Sequence, residues 1–389
     1  MPYESPLHTV VVEVSEPLDN RYIGILLNDS VYWRIPSGRT RHESLPCYER
    51  AGRQHGVRPC YIRLHDIVPG QTTVLAFVKS GREYVRRRIP VPAVIHNRGL
   101  FFNSDAKRRI ERLVRSGKQI FNHWNRYGKK TIHGLLQLDP TIREHLPETL
   151  EATTANLMEM MQRYDALIVK PNNSSIGLGI MKLKRVRDRW ELDYAPTFKS
   201  RVRKKTSFRS KLPSVLLRRI RKSAYLVQQC WPLATYRGRP FDMRVSVQRG
   251  ETGDWRISGV AVKVARSQVF LTNLAQGGHV HPLETVLRDY PYLDPVHTRQ
   301  RVEELSLQVA NHLSSHLPHL ADIGLDVGID AAGRPLFIEC NGRDLRISFR
   351  EGRQFEEFQR TYSNPIGYGK FLMDHPPQPF HEQTILPSP

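Results

Sequence analysis

The chain reads as an α+β protein in three parts: a smaller strand-rich region (1–93), a larger mixed region (94–372) and a disordered, proline-rich tail (373–389). Three observations predict this. Short apolar runs that alternate or cluster dominate the first part. Helical periodicity sets in near Ser104. Two strand–loop–strand units, at 165–180 and 323–342, carry polar and glycine residues where the strands end.

In order, residues 8–14 (HTVVVEV), 22–34, 60–64, 73–79 and 91–98 read as strands, giving an N-terminal region with little helix. SDAKRRIERLVRSG opens a helix with Ser104 and Asp105 as cap candidates and closes it at Gly117. The stretch from Leu146 to Pro171 reads as loop, helix and strand. Leu157, Met160, Met161 and Tyr164 share one helical face, which makes the methionines core. A helix over 298–316 precedes the apolar strand ADIGLDVGID, and the tail from His375 is rich in proline.

Hydrophobic residues make up 39% of the chain and charged residues 25%, a soluble globular profile with no membrane-length apolar run. Residues 1–14 have neither a basic n-region nor a long apolar h-region, so the expected location is the cytoplasm. The four cysteines (Cys47, Cys60, Cys230, Cys340) are scattered without a C-x-x-C pair, which speaks against zinc and against a disulfide framework. The formal net charge is +21, and the run from Lys199 to Lys222 holds eleven basic residues and no acidic one. Such a charge attracts polyanions: nucleotide phosphates, acidic peptides or polymers, nucleic acid. The run reads either as a solvated, partly mobile insertion or as a lid or acceptor surface. Only Phe208 interrupts it with an aromatic ring, which argues against single-stranded nucleic acid as the partner.

Five motifs carry chemistry. In DALIVKPNNSSIGLGI a strand delivers Lys170 to a loop whose backbone N–H groups at Ser174, Ser175, Gly177 and Gly179 can approach phosphate oxygens. It is neither a Walker loop nor a dinucleotide fingerprint. YLVQQCWPL ends a strand at Gln228 and Gln229, with groups able to read an adenine edge. In RGRPFDMRVSVQ, Asp242 and Arg244 lie two apart on a strand and so share one face; Arg244 suits a transferred phosphoryl group. FLTNLAQGGHV offers Asn273 beside a glycine turn. In IGLDVGIDAAGRPLFIECNG a hairpin sets Asp326 across from Glu339 and Asn341, hard oxygen donors of the kind Mg²⁺ takes beside a nucleotide. Singly, each has a plain counterpart: a glycine hairpin, an ordinary strand end, a surface ion pair, an acid and an amide on one strand.

Their order over about 170 residues resembles the ATP-grasp superfamily, in which two α+β subdomains hold ATP between them, and more closely the endospore coat-associated YheC/YheD family. That family's "YNR", "F(N) … K" and "LP.T" elements read here as His96–Arg98, Ile120–Lys130 and Leu146–Thr149, ahead of the glycine loop. The resemblance implies an ATP-grasp region over 94–372 with a basic insertion at about 199–222. It implies that Lys130 and Lys170 contact ATP phosphates under the Ser174–Gly179 loop, and that Gln228, Gln229, Cys230 and Trp231 hold the adenine. Asp242 and Asn273 would belong to the nucleotide site. Arg244 would stabilise the acyl phosphate, with Lys170 as the second catalytic group, and Asp326, Glu339 and Asn341 would bind one or two Mg²⁺ ions. Where the family has E-V-N-S-K-P-G-R, this chain has E-C-N-G-R-D-L-R, with Asp344 in the proline's place. The implied activity is an ATP-dependent carboxylate–amine or carboxylate–thiol ligase acting on substrates the sequence does not name, an acidic peptide or polymer among them. Two rivals stand beside it: a non-catalytic, ATP-binding spore coat or assembly protein, and a polyanion binder.

Overall fold

The computed structural model describes residues 21–174, 177–198, 200, 202–267 and 269–376. The expected strand at 8–14, Ser175 and the tail beyond 376 lie outside them. Three sheets build the molecule.

The first contains β1 (Tyr22–Leu27), β2 (Arg58–Arg63), β3 (Thr73–Ser80), β4 (Glu83–Pro90), β5 (Val94–Asn97) and β6 (Gln119–Phe121), in the order β4-β3-β2-β1-β5-β6. Its central pairs β2–β1, β1–β5 and β5–β6 are parallel, while β3 and β4 add an antiparallel edge. Both faces of a parallel sheet need cover. The helix Leu45–His55 supplies one cover and Ser104–Arg115 the other.

The expectation of little helix in this region is therefore corrected. LPCYERAGRQH starts with proline in its first turn, buries Leu45, Tyr48, Ala51 and Gly52, and stops at Gly56 in the left-handed region. The strand expected over 22–34 ends at Leu27, where a short helix (Asp29–Tyr32) begins. The expected boundary after residue 93 falls inside this sheet, because β5 and β6 pair with β1 and with each other. The cap of the helix Ser104–Arg115 is Asn103, one residue earlier than read, its side chain accepting from the Ala106 N–H.

The second sheet, ordered β11-β10-β9-β8-β12-β7, contains β7 (Thr149–Glu151), β8 (Ala166–Pro171), β9 (Met181–Val186), β10 (Arg189–Tyr194), β11 (Lys204–Phe208) and β12 (Tyr225–Gln229). Leu157, Met160 and Met161 of the helix Thr154–Arg163 pack into its core as expected. From Lys204 on, the basic run is built into the sheet. Lys204–Phe208 is the edge strand, and the helix Ser214–Lys222 buries Leu216 against the sheet while Arg218, Arg221 and Lys222 face solvent.

The third sheet runs β16-β15-β14-β17-β18, from β14 (Arg239–Arg249), β15 (Trp255–Val264), β16 (His279–His281), β17 (Asp322–Ile329) and β18 (Pro335–Asn341); the short β13 (Thr235–Tyr236) pairs with β14. The helix Pro295–His316 covers one face with Val302, Leu305, Val309 and Leu313. The last helix, Phe355–Asp374, returns to the first sheet, where Tyr362 and Ile366 join Ile23, Ile25 and Tyr48 in one core. It extends into the stretch read as tail.

A cluster of buried charge joins the first and third sheets. Arg98 donates to Glu43 Oε1 from Nε (3.1 Å) and Nη2 (3.0 Å), and to Asp322 Oδ2 at 3.0 Å. Arg346 donates to the same Asp322 oxygen at 2.8 Å, and His96 Nε2 lies 3.1 Å from it. All five are buried.

Candidate functional site

Three strands of the third sheet set up one row of charge. Arg244 on β14 stands opposite Asp326 on β17, which stands opposite Glu339 on β18. Side chains alternate along a strand, so Asp242 joins Arg244 on this face and Asn341 joins Glu339. Lys263 enters from β15, opposite Asp242.

The contacts follow from that register. Arg244 Nε lies 3.1 Å from Asp326 Oδ1, and its Nη2 donates to Asp326 Oδ2 at 3.2 Å. Lys263 Nζ reaches Asp326 Oδ1 at 2.7 Å and Asp242 Oδ1 at 3.0 Å. Asn341 Nδ2 donates to Asp326 Oδ2 at 3.4 Å. From outside the sheet, Lys129 Nζ lies 3.1 Å from Glu339 Oε1 and donates to the Ser174 carbonyl at 2.6 Å. Lys170 Nζ donates to the Ile338 carbonyl at 3.3 Å. Gly324 has to be glycine for this crowding: a Cβ there would sit 2.6 Å from both Arg244 Nη1 and Asp344 Oδ1.

Burial sets the electrostatics. It lifts the Asp242 carboxyl, partly offset by Lys263, and the negative charge of Asp326 adds to the rise. Burial also pushes Asp326 up, but Arg244 and Lys263 overcome it and hold that carboxyl below its ordinary value. Lys170 is desolvated and falls to about 8. Lys263 resists the same desolvation because Asp242 and Asp326 flank it, and its value rises.

A cavity of about 210 Å³ opens over this row, lined by Lys129, Ser174, Arg244, Asn273, Asp326, Glu339 and Asn341 among others. That volume suits ions and phosphate groups; whole-ligand pockets run from about 300 Å³ upward. The donor set fits a magnesium ion. Two carboxylates and one amide on neighbouring strands are hard oxygen donors, and both carboxylates already hold cationic side chains. The Asn341 Oδ1 atom has no hydrogen bond among the described residues.

The structure thus brings together Arg244, Asp242, Ser174, Asn273, Asp326, Glu339 and Asn341, with Lys170 at the edge. Gly177 (φ +74°) closes the loop against Asn273, whose Oδ1 would lie 2.9 Å from a Cβ there; Gly179 (φ +75°) packs against Phe198. Asp242 acts through Lys263 and through Thr272, which donates to its Oδ2. Lys130 is a correction: its ammonium is exposed and paired with Glu151, while its neighbour Lys129 faces the cavity. The Gln228 side chain is also turned away, donating to Thr149 Oγ1 at 2.7 Å. Gln229, Cys230 and Trp231 lie at the crossing from the second sheet to the third and do not line this cavity.

Sequence reading missed three residues. Lys263 had a signal, a single lysine inside the apolar strand SGVAVKVA. Lys129 had none beyond adjacency. Asp344 stood in plain view as the departure after Asn341. It is buried, accepts from Ser246 Oγ, and lies 3.4 Å from Arg244 Nη1, so it holds the arginine from behind.

The loop after β8, the start of the helix Lys129–Leu136 and the carboxylate–amide hairpin of the third sheet border one cavity, and the chain is an ATP-grasp protein. The chain is similar in fold to VanG D-Ala:D-Ser ligase from Enterococcus faecalis, with TM-score 0.51 and 10% identity over 90% of this chain and 100% of that one. Within that class the chain belongs to the YheC/D like ATP-grasp family, whose model matches residues 117–372. It is 25% identical to the endospore coat-associated protein YheD of Bacillus subtilis (strain 168) over 327 residues, 80% of this chain and 69% of that protein. To YheC of the same organism it is 24% identical over 355 residues, 87% and 95% of the two chains. No helix among the described residues is long and apolar enough to cross a membrane.

Proposed function

We propose that this chain is an ATP- and Mg²⁺-dependent ligase that activates a carboxylate as an acyl phosphate and passes the acyl group to an amine or thiol. The observation that carries the reading is the row Arg244–Asp326–Glu339 across three adjacent strands, with Lys129, Lys170 and Lys263 converging on it. Asp326, Glu339 and Asn341 would hold the metal, whose charge would offset the negative charge of the phosphates.

The chain's own groups do the rest. Lys129 lines the cavity and Lys170 stands at its edge, and each ammonium would meet phosphate oxygens as a point charge. A carboxylate oxygen of the acid attacks the γ-phosphorus, the bond to the β–γ bridging oxygen breaks, and ADP leaves. Arg244, fixed by Asp326 and Asp344, offers N–H donors to the transferred phosphoryl group and then to the oxyanion formed when the amine attacks the carbonyl carbon. The carbon–oxygen bond to phosphate then breaks, and the phosphate carries away the surplus proton. Spore association is proposed on the likeness to YheC and YheD, and an acidic peptide or polymer as substrate on the charge of +21.

The test is ATP binding with and without Mg²⁺, by thermal shift and calorimetry, on the wild type and on the double variant Glu339→Ala, Asn341→Ala. The wild type should gain a Mg²⁺-dependent stabilisation that the variant lacks, followed by ADP release with a matched acid and amine. A folded wild type blind to Mg²⁺ and ATP would sink the reading.

A further inference from the structure

A larger cavity, about 510 Å³, lies against the first sheet, lined by the end of β1 (Leu27, Asn28), the segment Thr40–Glu43, Arg98 and Arg343. Its place is not arbitrary. From β1 the chain builds outward to β2 on one side, and β5 then returns to the other. Open parallel sheets bind ligands outside the carboxyl ends of the strands at such a switch point. The cavity adjoins the ion and phosphate site, since Leu100, Phe102 and Arg343 line both.

Its charge is unbalanced. Arg98 and Glu43 neutralise one another within the buried cluster. Asp29 is exposed and leans toward Arg63 at 3.6 Å. Arg343 is different. It is half-buried, donates only to the Arg98 carbonyl (3.1 Å), and has no carboxylate within ion-pair distance among the described residues. An arginine guanidinium is charged at neutral pH, and no carboxylate is paired with this one among the described residues. Arg41 adds a second cation at the rim.

We propose that this cavity binds the acid substrate, with a carboxylate on Arg343 at the junction with the phosphate site and a further anionic group toward Arg41. The substrate class is an acidic peptide or other polycarboxylate. The inference rests on the ligase reading for its direction, but binding of the acid is measurable without nucleotide, so the two fail separately.

The experiment is calorimetric titration of tri-L-glutamate and tri-L-glutamine into the full chain at physiological salt, without ATP. Wild type should bind tri-glutamate saturably and tri-glutamine far more weakly. Arg343→Met should weaken tri-glutamate by at least about tenfold, and Arg41→Ala by less. The only side-chain partner Arg343 loses is a backbone carbonyl, and an unchanged melting temperature of the variant checks its folding. Arg221→Ala, on the exposed face of the helix Ser214–Lys222, should bind like wild type. Equal binding by Arg343→Met, equal weakening by Arg221→Ala, or no saturable tri-glutamate binding by wild type would each overturn the proposal.

Discussion

Two charge networks lie in this molecule, and they use the same residue types for opposite ends. At the joint between the first and third sheets, Glu43, Arg98, Asp322 and Arg346 are buried and pair with one another. In the cleft, Lys129, Arg244, Lys263, Asp326 and Glu339 also pair, but cations converge from two strands and a helix on two carboxylates beside a cavity, and Asn341 keeps an oxygen to spare. What separates structure from chemistry is pairing: in the first network buried arginines hold each carboxylate, even where Arg98 and Glu43 border the larger cavity, and in the second an amide oxygen has no hydrogen bond among the described residues beside its cavity.

The strongest way to break the comparison is to unpair the first network. Arg98→Met leaves Asp322 and Glu43 buried with fewer partners and should destabilise the chain by about 3–5 kcal/mol in urea unfolding. A shift under about 1 kcal/mol would mean that these pairs do not hold the joint. Acid should attack the same place next. Burial holds His96 near 4 against an ordinary 6.5, with Asp322 only partly offsetting it. Between those values the unfolded chain takes a proton that the folded chain refuses, so stability falls on acidification. Burial would raise Glu43, yet Arg98 and Arg346 outweigh it and hold the carboxyl at about 2. Its contribution is present above 4.5 and is lost as the pH falls toward 2. Melting temperature followed over this range should therefore decline in two stages, and His96→Asn should flatten the upper one.

The smallest test sharpens the cleft. Lys129→Ala should weaken Mg²⁺-ATP by about tenfold, roughly 1.4 kcal/mol, while Lys130→Ala, whose partner Glu151 is exposed, should leave affinity unchanged. The reverse ranking would return the role to Lys130.

What the sequence disclosed was local. The hairpin with Asp326 facing Glu339 follows from a two-residue period and one turn, and the helix Thr154–Arg163 from the spacing of Leu157, Met160 and Met161. The Asp242–Arg244 pair was legible for the same reason. The helix Leu45–His55 was not, because its polar and charged residues dilute the apolar stripe that tertiary packing selects. Lys129 and Lys130 are adjacent, and only the start of the helix Lys129–Leu136 decides which faces the cavity. The joint was illegible in principle. Residues 43, 98, 322 and 346 meet across the whole chain, and no window contains them together.

The last helix has a consequence for synthesis. Tyr362 and Ile366 complete the core around β1, so this strand waits for residues made long after it. The second sheet is assembled wholly from residues 149–229 and can close while the ribosome is still at work. Birth order and folding order therefore run against each other: the middle of the chain matures first, and a nascent chain stopped short of Phe355 would display the face of β1 that the finished protein hides.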